Sequence, residues 1–148
     1  MNLEKLLIQR LTPTALPPVR ATEGSAGYDL FADIAEPVTI EPGETVLLGT
    51  GIAMALPGPE LVGLVFARSG LGVKHGIVPA NAVGVVDSDY RGELRVGLHN
   101  HSQERYTVQP QDRIAQLLIL PVVTPRLEET ETLPDTTRAS GGWGSTGR

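Results

Sequence analysis

Two short segments of the sequence carry side chains that could act on a phosphate-bearing substrate. Arg68-Ser69-Gly70 combines a forked cation, a hydroxyl donor and an open backbone, and each of these can contact phosphate oxygens. Asp87 and Asp89 are two residues apart, and such a pair can hold a divalent metal or supply a general base. Taken alone, the first segment favours an ordinary strand-to-turn transition, and the second is as typical of a loop cap as of a site.

Two further segments add polar groups whose roles are open when each is taken alone. Asp112 and Arg113 precede an apolar stretch and predict an ion pair there, while Gln116 predicts a polar group at the rim of a sheet. In the glycine-rich segment 138–148, Trp143 stands between glycines and predicts a cap that orders over another surface. A Walker A motif is excluded, because Arg stands in the place of its Lys; a mobile phosphate-binding lid stays possible.

Other kinds of site are excluded by residues that are missing. The chain has no Cys, so thiolate zinc sites, iron–sulfur clusters and a cysteine nucleophile are ruled out. His99 and His101 stand two residues apart, but no third ligand is near them in the sequence. No Gly-x-Ser-x-Gly elbow marks a serine nucleophile.

Length and charge limit the possible partners. The chain has 148 residues, which suit one domain, and 12 Lys and Arg against 17 Asp and Glu give a net charge of −5. This charge argues against non-specific nucleic-acid binding, whereas the excess of Arg over Lys still suits a small anion. No apolar stretch is long enough to span a membrane, and the start does not resemble a signal peptide, so we expect a cytoplasmic protein.

The elements that must hold these groups are predicted to be strands. β-branched residues are frequent, Gly and Pro separate the apolar runs, and 93–99 alternates between charged and apolar residues, all of which favour a compact antiparallel β-sandwich or barrel. The segment 69–75 is too rich in glycine to predict more than one short helical turn. Strands are predicted at 3–11, 39–40, 45–56, 61–67, 77–86, 93–99, 106–108 and 114–123. Beyond residue 124 the apolar pattern stops, and an acidic tail follows.

Taken together, the polar segments form five blocks whose order is more specific than any of them alone. They are AGYDL at 26–30, RSGLG at 68–72, NAVGVVDSDYRGE at 81–93, DRIAQLL at 112–118 and R-A-S-GGWGSTG at 138–147. This series resembles the homotrimeric dUTPase family over nearly the whole chain, from about residue 3 to residue 148.

The resemblance implies a fold, an assembly and a reaction. The fold would be an all-β, jelly-roll-like antiparallel barrel of the β-clip type, with a core at 1–124. The flexible C-terminal arm at 125–148 would close over an active site of a neighbouring subunit in a homotrimer. The enzyme would hydrolyse dUTP to dUMP and pyrophosphate, which limits uracil in DNA and supplies dUMP. It would use Mg²⁺ held mainly by substrate phosphates and water, without direct protein ligands.

The resemblance also implies roles for individual residues. Asp87 would orient and deprotonate the attacking water, and Tyr90 would pack beneath the deoxyribose. Asn81 and the backbone around Val86 would contact the edge of uracil. The remaining implied substrate contacts are Arg68, Ser69, Gly70, Gln116, Arg138, Trp143, Gly144, Ser145 and Thr146, with Asp29 supporting the metal-water shell and the closed tail. Among these, Trp143 would stack over uracil, while Arg138, Ser145 and Thr146 would hold the γ-phosphate end.

Three positions depart from the family pattern, and two other functions stay open. Ala67 stands where Pro is common, Gln111 where Gly is common and Trp143 where Phe is usual. None of these changes removes a charged or hydrogen-bonding group. The rivals are a dCTP deaminase or bifunctional deaminase–dUTPase, and a regulatory protein of the same fold whose partner binding is switched by nucleotide.

Overall fold

A computed structural model describes residues 5–142, which form eleven strands and one short helix. Every strand pairing among them is antiparallel, so the prediction of an all-β class is confirmed. The elements are β1 Leu7–Arg10, β2 Tyr28–Phe31, β3 Val38–Ile40, β4 Thr45–Gly49, β5 Ile52–Ala55, β6 Leu61–Phe66, α1 Ser69–His75, β7 Ile77–Pro79, β8 Gly84–Val86, β9 Arg95–Asn100, β10 Tyr106–Val108 and β11 Arg113–Pro121.

The strands pair in four sheets around a single apolar core. The largest sheet has the order β2-β11-β6-β8, the second has the order β4-β9-β7, and β1-β5 and β3-β10 form two-stranded sheets. Strand β9 shows the predicted alternation, since Val96 and Leu98 are buried while Arg95 is exposed. Among residues 5–142 no single ladder closes into a barrel, and the core is enclosed by packing between the sheets.

The predicted strand at 45–56 is wrong as one element, because the chain breaks at Thr50-Gly51. Gly51 has φ +64°, a left-handed conformation that glycine adopts without steric cost. A Cβ there would also lie 2.7 Å from the Cβ of Ala15. The break sends the two halves to different sheets, since β4 pairs with β9 and β5 pairs with β1.

Two further elements differ from the prediction. The segment 69–75 forms α1 despite its glycines, because Leu71 is buried against the core and Gly76 ends the helix at φ +66°. Lys74 and His75 in the last turn suit the helix dipole. Strand β2 was not predicted at all; it pairs with β11, from which it is separated by more than 80 residues of sequence.

The turn before β11 contains a departure from the family pattern. Asp112 donates its backbone N–H to the Gln109 carbonyl at 3.1 Å, and the Asp112 carboxylate accepts the Gln109 N–H at 2.7 Å. Pro110 and Gln111 occupy the two central positions, and Gln111 has φ +65°. A type II turn needs a positive φ at its second central residue, where Gly is strongly preferred. The Gln at this position therefore strains the backbone.

We expect Gln111→Gly to stabilise the fold by roughly 0.5–1 kcal/mol, because relief of about 1–2 kcal/mol of strain exceeds the entropy cost of glycine. The turn Glu41-Pro42-Gly43-Glu44 is the matched control, since Gly43 has φ +78° and no atom would contact a Cβ there. Gly43→Gln should therefore destabilise the fold by a similar amount. Urea unfolding at one fixed protein concentration measures both; an unchanged midpoint for Gln111→Gly would contradict the strain.

After β11 the chain leaves the core. Residues 123–141 are exposed and form no helix or strand, and Leu127 and Leu133 are almost fully open to solvent. In the part of the chain from 5 to 142, no helix is long and apolar enough to cross a membrane.

Candidate active site

The residues singled out in the sequence gather in two separate cavities. We call the first the hairpin cavity: it measures about 260 Å³ and is lined by Asn81, Val86, Asp87 and Tyr90, together with part of β9. We call the second the arginine cavity: it measures about 580 Å³ and is lined by Asp29, Arg68, Ser69, Gly70 and Gln116, with Arg113 beside them. The two cavities share no lining residue.

The hairpin cavity is shaped by the loop between β7 and β8. Ala82 donates its N–H to the Pro79 carbonyl at 3.0 Å, and Val83 donates to the Asn81 carbonyl at 2.7 Å. Ala82 adopts φ +63°, a conformation that costs an alanine about 1 kcal/mol and that often occurs at functional sites. This strained loop and the strand ends beside it contribute Pro79, Asn81 and Gly84 to the lining of the cavity.

Asp87 and Tyr90 lie at the mouth of the hairpin cavity. The Tyr90 N–H donates to the Asp87 carbonyl at 3.1 Å, which holds the two residues in one turn. Asp87 is exposed, and within residues 5–142 its carboxylate accepts no hydrogen bond, so both oxygens can accept a proton or orient a water. The Tyr90 side chain is also exposed, with 46% of its surface open to solvent.

A buried carboxylate organises the arginine cavity. Asp29, on β2, keeps only 13% of its side chain exposed; its Oδ1 lies 2.9 Å from Arg68 Nε and its Oδ2 lies 3.6 Å from Arg113 Nε. Arg68 also donates to the Arg113 carbonyl at 3.3 Å. Arg113 lies over the Phe31 ring at 5.9 Å, a further constraint on its guanidinium. Two cations thus share one carboxylate, and this leaves excess positive charge facing the cavity.

The other wall of the arginine cavity comes from β11. Gln116 donates from Nε2 to the Ala67 carbonyl at 2.9 Å, which fixes its amide beside the Arg68-Ser69-Gly70 segment. Gly27 makes room for this amide, because a Cβ at that position would lie 2.7 Å from Gln116 Oε1. Nothing would contact a Cβ at Gly70, so the backbone there stays open to a ligand. Guanidinium, hydroxyl, amide and free backbone groups together can bind an anion such as phosphate.

The two cavities meet the largest sheet at neighbouring residues of one strand. Val65 lines the hairpin cavity and Phe66 lines the arginine cavity, and these are consecutive residues of β6. Successive side chains of a strand point to opposite faces. Gln116 pairs with Phe66 across the ladder and lines the same cavity as it does. Asp87 and the arginine cavity of one chain therefore belong to separate linings with no residue in common.

The structure also shows what the sequence interpretation missed. The predicted Asp112–Arg113 ion pair is wrong, because Asp112 closes the turn before β11 whereas Arg113 faces Asp29. Glu93, which the sequence analysis placed at the end of the block at 81–93 and in the alternation at 93–99 without assigning it a role, also lines the hairpin cavity. The contact of Arg113 with Asp29 could not have been predicted, since the β2–β11 pairing that produces it is long-range. The alternation at 93–99 was a usable signal for Glu93.

Five more predicted residues lie near or beyond the end of the described chain. Arg138 donates from Nε to the Gly141 carbonyl at 3.0 Å and contacts neither cavity. Trp143 and the positions Gly144, Ser145 and Thr146 lie outside the described residues.

Tyr106 packs near the arginine cavity with its phenol protonated. Burial raises the pKa of Tyr106, the Asp112 carboxylate raises it further, and the Arg68 guanidinium lowers it by a smaller amount. Its ring lies 5.0 Å from that of His75. Tyr106 therefore adds no negative charge beside Arg68 at neutral pH.

An all-β chain with an anion-binding cavity and a separate polar cavity beside an open carboxylate is suited to binding and hydrolysing a phosphorylated ring compound. Comparisons with known proteins agree with this class. The family model described as dUTPase matches residues 14–147. The chain therefore belongs to the dUTPase family, and it is an enzyme, a dUTP diphosphatase.

Relatives and solved structures support this membership over nearly the full length. The chain is 50% identical over 144 residues to the deoxyuridine 5'-triphosphate nucleotidohydrolase of Idiomarina loihiensis, covering 97% of this chain and 95% of the relative. It is 49% identical over 150 residues to that of Neisseria meningitidis serogroup A, covering 99% of each. A variant of the phage 80alpha dUTPase superposes with a TM-score of 0.87 at 29% identity, covering 98% of this chain and 99% of the other.

Proposed function

We propose that this dUTPase hydrolyses dUTP by Asp87-assisted attack of water on the α-phosphorus. The Asp87 carboxylate accepts the proton of the water, whose oxygen forms the new bond to phosphorus. The bond between that phosphorus and the oxygen bridging to the β-phosphate breaks, so dUMP and pyrophosphate leave. The observation that carries this proposal is the open Asp87 carboxylate at the mouth of the hairpin cavity, free of hydrogen bonds from residues 5–142.

The nucleoside end of the substrate belongs in the hairpin cavity. Asn81 and the backbone beside Val86 would read the polar edge of uracil, and the narrow loop would exclude the methyl group of thymine. A pocket built to hydrogen-bond one base rejects others strongly, because its buried polar groups are then left unpaired. Tyr90 would pack under the deoxyribose and leave no room for a 2'-hydroxyl.

The triphosphate belongs in the arginine cavity. Arg68, Ser69, the Gly70 backbone and Gln116 already lie together there and offer donors of the kind that phosphate oxygens accept. Asp29 holds Arg68 in place through the 2.9 Å ion pair. Its proposed role in the metal-water shell would use lone pairs that the two guanidinium groups leave free.

Mg²⁺ is the proposed cofactor. Dehydration is costly for this ion, so with nucleotides it takes most of its ligands from phosphate oxygens and water. In the stretch from 5 to 142, no three His, Asp or Glu side chains converge, so the triphosphate would supply most of the ligands. When bound, the ion neutralises charge that develops on the phosphates. A related structure, the dUTPase of phage phi11 of S. aureus, is described as coordinating a structural Mg(II) ion.

The proposed assembly is a homotrimer whose sites are shared between subunits. The separate linings of the two cavities support this, because a site that uses both can combine the hairpin cavity of one subunit with the arginine cavity of another. The core would be 1–124. The arm at 125–148 would close over a neighbour's site, with Trp143 stacking on uracil and Arg138, Ser145 and Thr146 holding the γ-phosphate end beside the Gly144 backbone. The cytoplasmic location stays a prediction from the sequence.

Nucleotide turnover tests the proposal. Purified protein with Mg²⁺ is incubated with dUTP, UTP, dTTP and dCTP, and the products are separated by chromatography. Release of dUMP and pyrophosphate from dUTP alone is expected. Consumption of dCTP would support the deaminase alternative instead. Binding of dUTP without turnover would support the other alternative, a regulatory protein whose affinity for a partner is changed by the nucleotide.

A further inference from the structure

Tyr90 is exposed, yet its ring is held in one place by its own loop. The Tyr90 phenol donates to the Glu93 carbonyl at 3.0 Å, so the ring folds back along the segment that follows it. Gly92 allows this approach, because a Cβ there would lie 2.6 Å from the Tyr90 Cζ and closer still to the phenol oxygen. The position of the ring therefore depends on where the backbone of Glu93 lies.

Glu93 is fixed by its own side chain. Its Oε1 accepts the Gly51 N–H at 2.9 Å, its Oε2 accepts from Arg95 Nε at 2.8 Å, and only 23% of the side chain is exposed. The carboxylate thus ties the wall of the hairpin cavity to the corner between β4 and β5. Gly49, opposite Arg95 in the ladder, leaves space for it, since a Cβ at that position would lie 3.2 Å from Glu93 Cδ.

The next residue anchors the same backbone from the other side. Leu94 is buried and donates its N–H to the Ile52 carbonyl at 2.7 Å. The buried Thr50 hydroxyl donates to the Leu94 carbonyl at the same distance. The corner between β4 and β5 is therefore connected through Glu93 to an exposed aromatic ring.

We propose that Glu93 is a positioning residue that sets the Tyr90 ring and, through it, the width of the sugar end of the hairpin cavity. The inference rests on the proposed function, because Tyr90 selects deoxyribose only if the nucleoside occupies this cavity. Glu93 touches no substrate atom in this proposal. It acts through the carbonyl that accepts the phenol hydrogen bond. Without the Glu93 side chain, the peptide that carries this carbonyl is held only on its Leu94 side, so the ring gains freedom to move and admits a 2'-hydroxyl.

Two substitutions separate positioning from simple stabilisation. Glu93→Ala removes the hydrogen bonds to Gly51 and to Arg95. Glu93→Gln keeps an oxygen that can accept the Gly51 N–H, but it loses the charge and the hydrogen bond opposite Arg95, because an amide NH2 cannot accept from Arg95 Nε. We expect the dUTP-to-UTP ratio of kcat/KM to fall about three- to tenfold in Glu93→Ala and to recover largely in Glu93→Gln, since the Gly51 bond is of ordinary strength. Glu36→Ala is the control: Glu36 is exposed and lines neither cavity.

The readouts keep this inference distinct from the function it rests on. 3-Fluorotyrosine labelling gives a ¹⁹F signal for Tyr90, assigned by its loss in Tyr90→Phe, with Tyr28 and Tyr106 as internal references. A shifted or narrowed Tyr90 signal in Glu93→Ala, together with the lower ratio, supports the proposal. An unchanged ratio or an unchanged Tyr90 signal, even with lower stability, overturns it. Failure of the wild type to hydrolyse dUTP would instead refute the proposed function. The Tyr90 ¹⁹F signal in the wild type and in Glu93→Ala would still show whether Glu93 holds the ring in place.

Discussion

Asp87→Asn is expected to reduce kcat for dUTP hydrolysis by about 10²–10⁴-fold, because an amide cannot take the proton of the attacking water. The substitution keeps the shape of the side chain and most of its contacts with a bound nucleotide. KM should therefore change much less than kcat. Since Asp87 is exposed and lies in a loop, its replacement should leave the free energy of unfolding within about 0.5 kcal/mol of the wild type. Steady-state kinetics of pyrophosphate release measure the effect.

Asp89→Asn is the matched control for this prediction. Asp89 lies in the same exposed turn, two residues further on, but it does not line the hairpin cavity. Its replacement changes the same charge at nearly the same place, so a general electrostatic effect on substrate binding would be similar in both variants. Equal losses of kcat in the two variants would contradict the assignment of Asp87 as the base.

Removal of residues 135–148 is expected to lower turnover of dUTP by about 10²-fold or more, because closure of the arm would position the phosphates and exclude water. The fold should persist, since the described part of this segment is exposed and its hydrogen bonds are to itself, such as Arg138 to the Gly141 carbonyl. Kinetics with Mg²⁺ and circular dichroism of the truncated chain measure the two effects. Full turnover without residues 135–148 would refute the closing role of the arm.

Mixing variants tests whether the arm serves a neighbouring subunit. The Asp87→Asn chain keeps its arm, and the truncated chain keeps Asp87. If a site takes Asp87 from one subunit and the arm from another, unfolding and refolding an equal mixture should restore activity at about a quarter of the sites, since each of the two contributing chains is intact with a probability of about one half. Sites built from a single chain would gain nothing, and light scattering checks that the mixture is trimeric.

The sequence indicated the fold class and the parts of the site for physical reasons that act locally. The alternation in 93–99 predicted the buried face of β9, and turn residues marked most of the strand ends. The helix α1 was missed because burial of Leu71 and the left-handed Gly76 outweigh the low helix propensity of its glycines. Strand β2 was missed because its four residues form a strand by pairing with β11, a partner distant in the sequence that no local pattern indicates.

The sequence thus determined the types of functional group available for a site, and the tertiary structure determined which cavity each of them lines. Five ordered blocks predicted which side chains would bind substrate, since guanidinium, carboxylate and amide groups have fixed preferences for what they bind. Only the folded chain decided that Arg113 faces Asp29, that Glu93 anchors the loop of Tyr90, and that Asp87 and Arg68 line separate cavities. These contacts depend on strand pairing and on the alternation of side chains across a sheet. Burial of the whole core fixes both of them, and neighbouring residues in the sequence do not determine them.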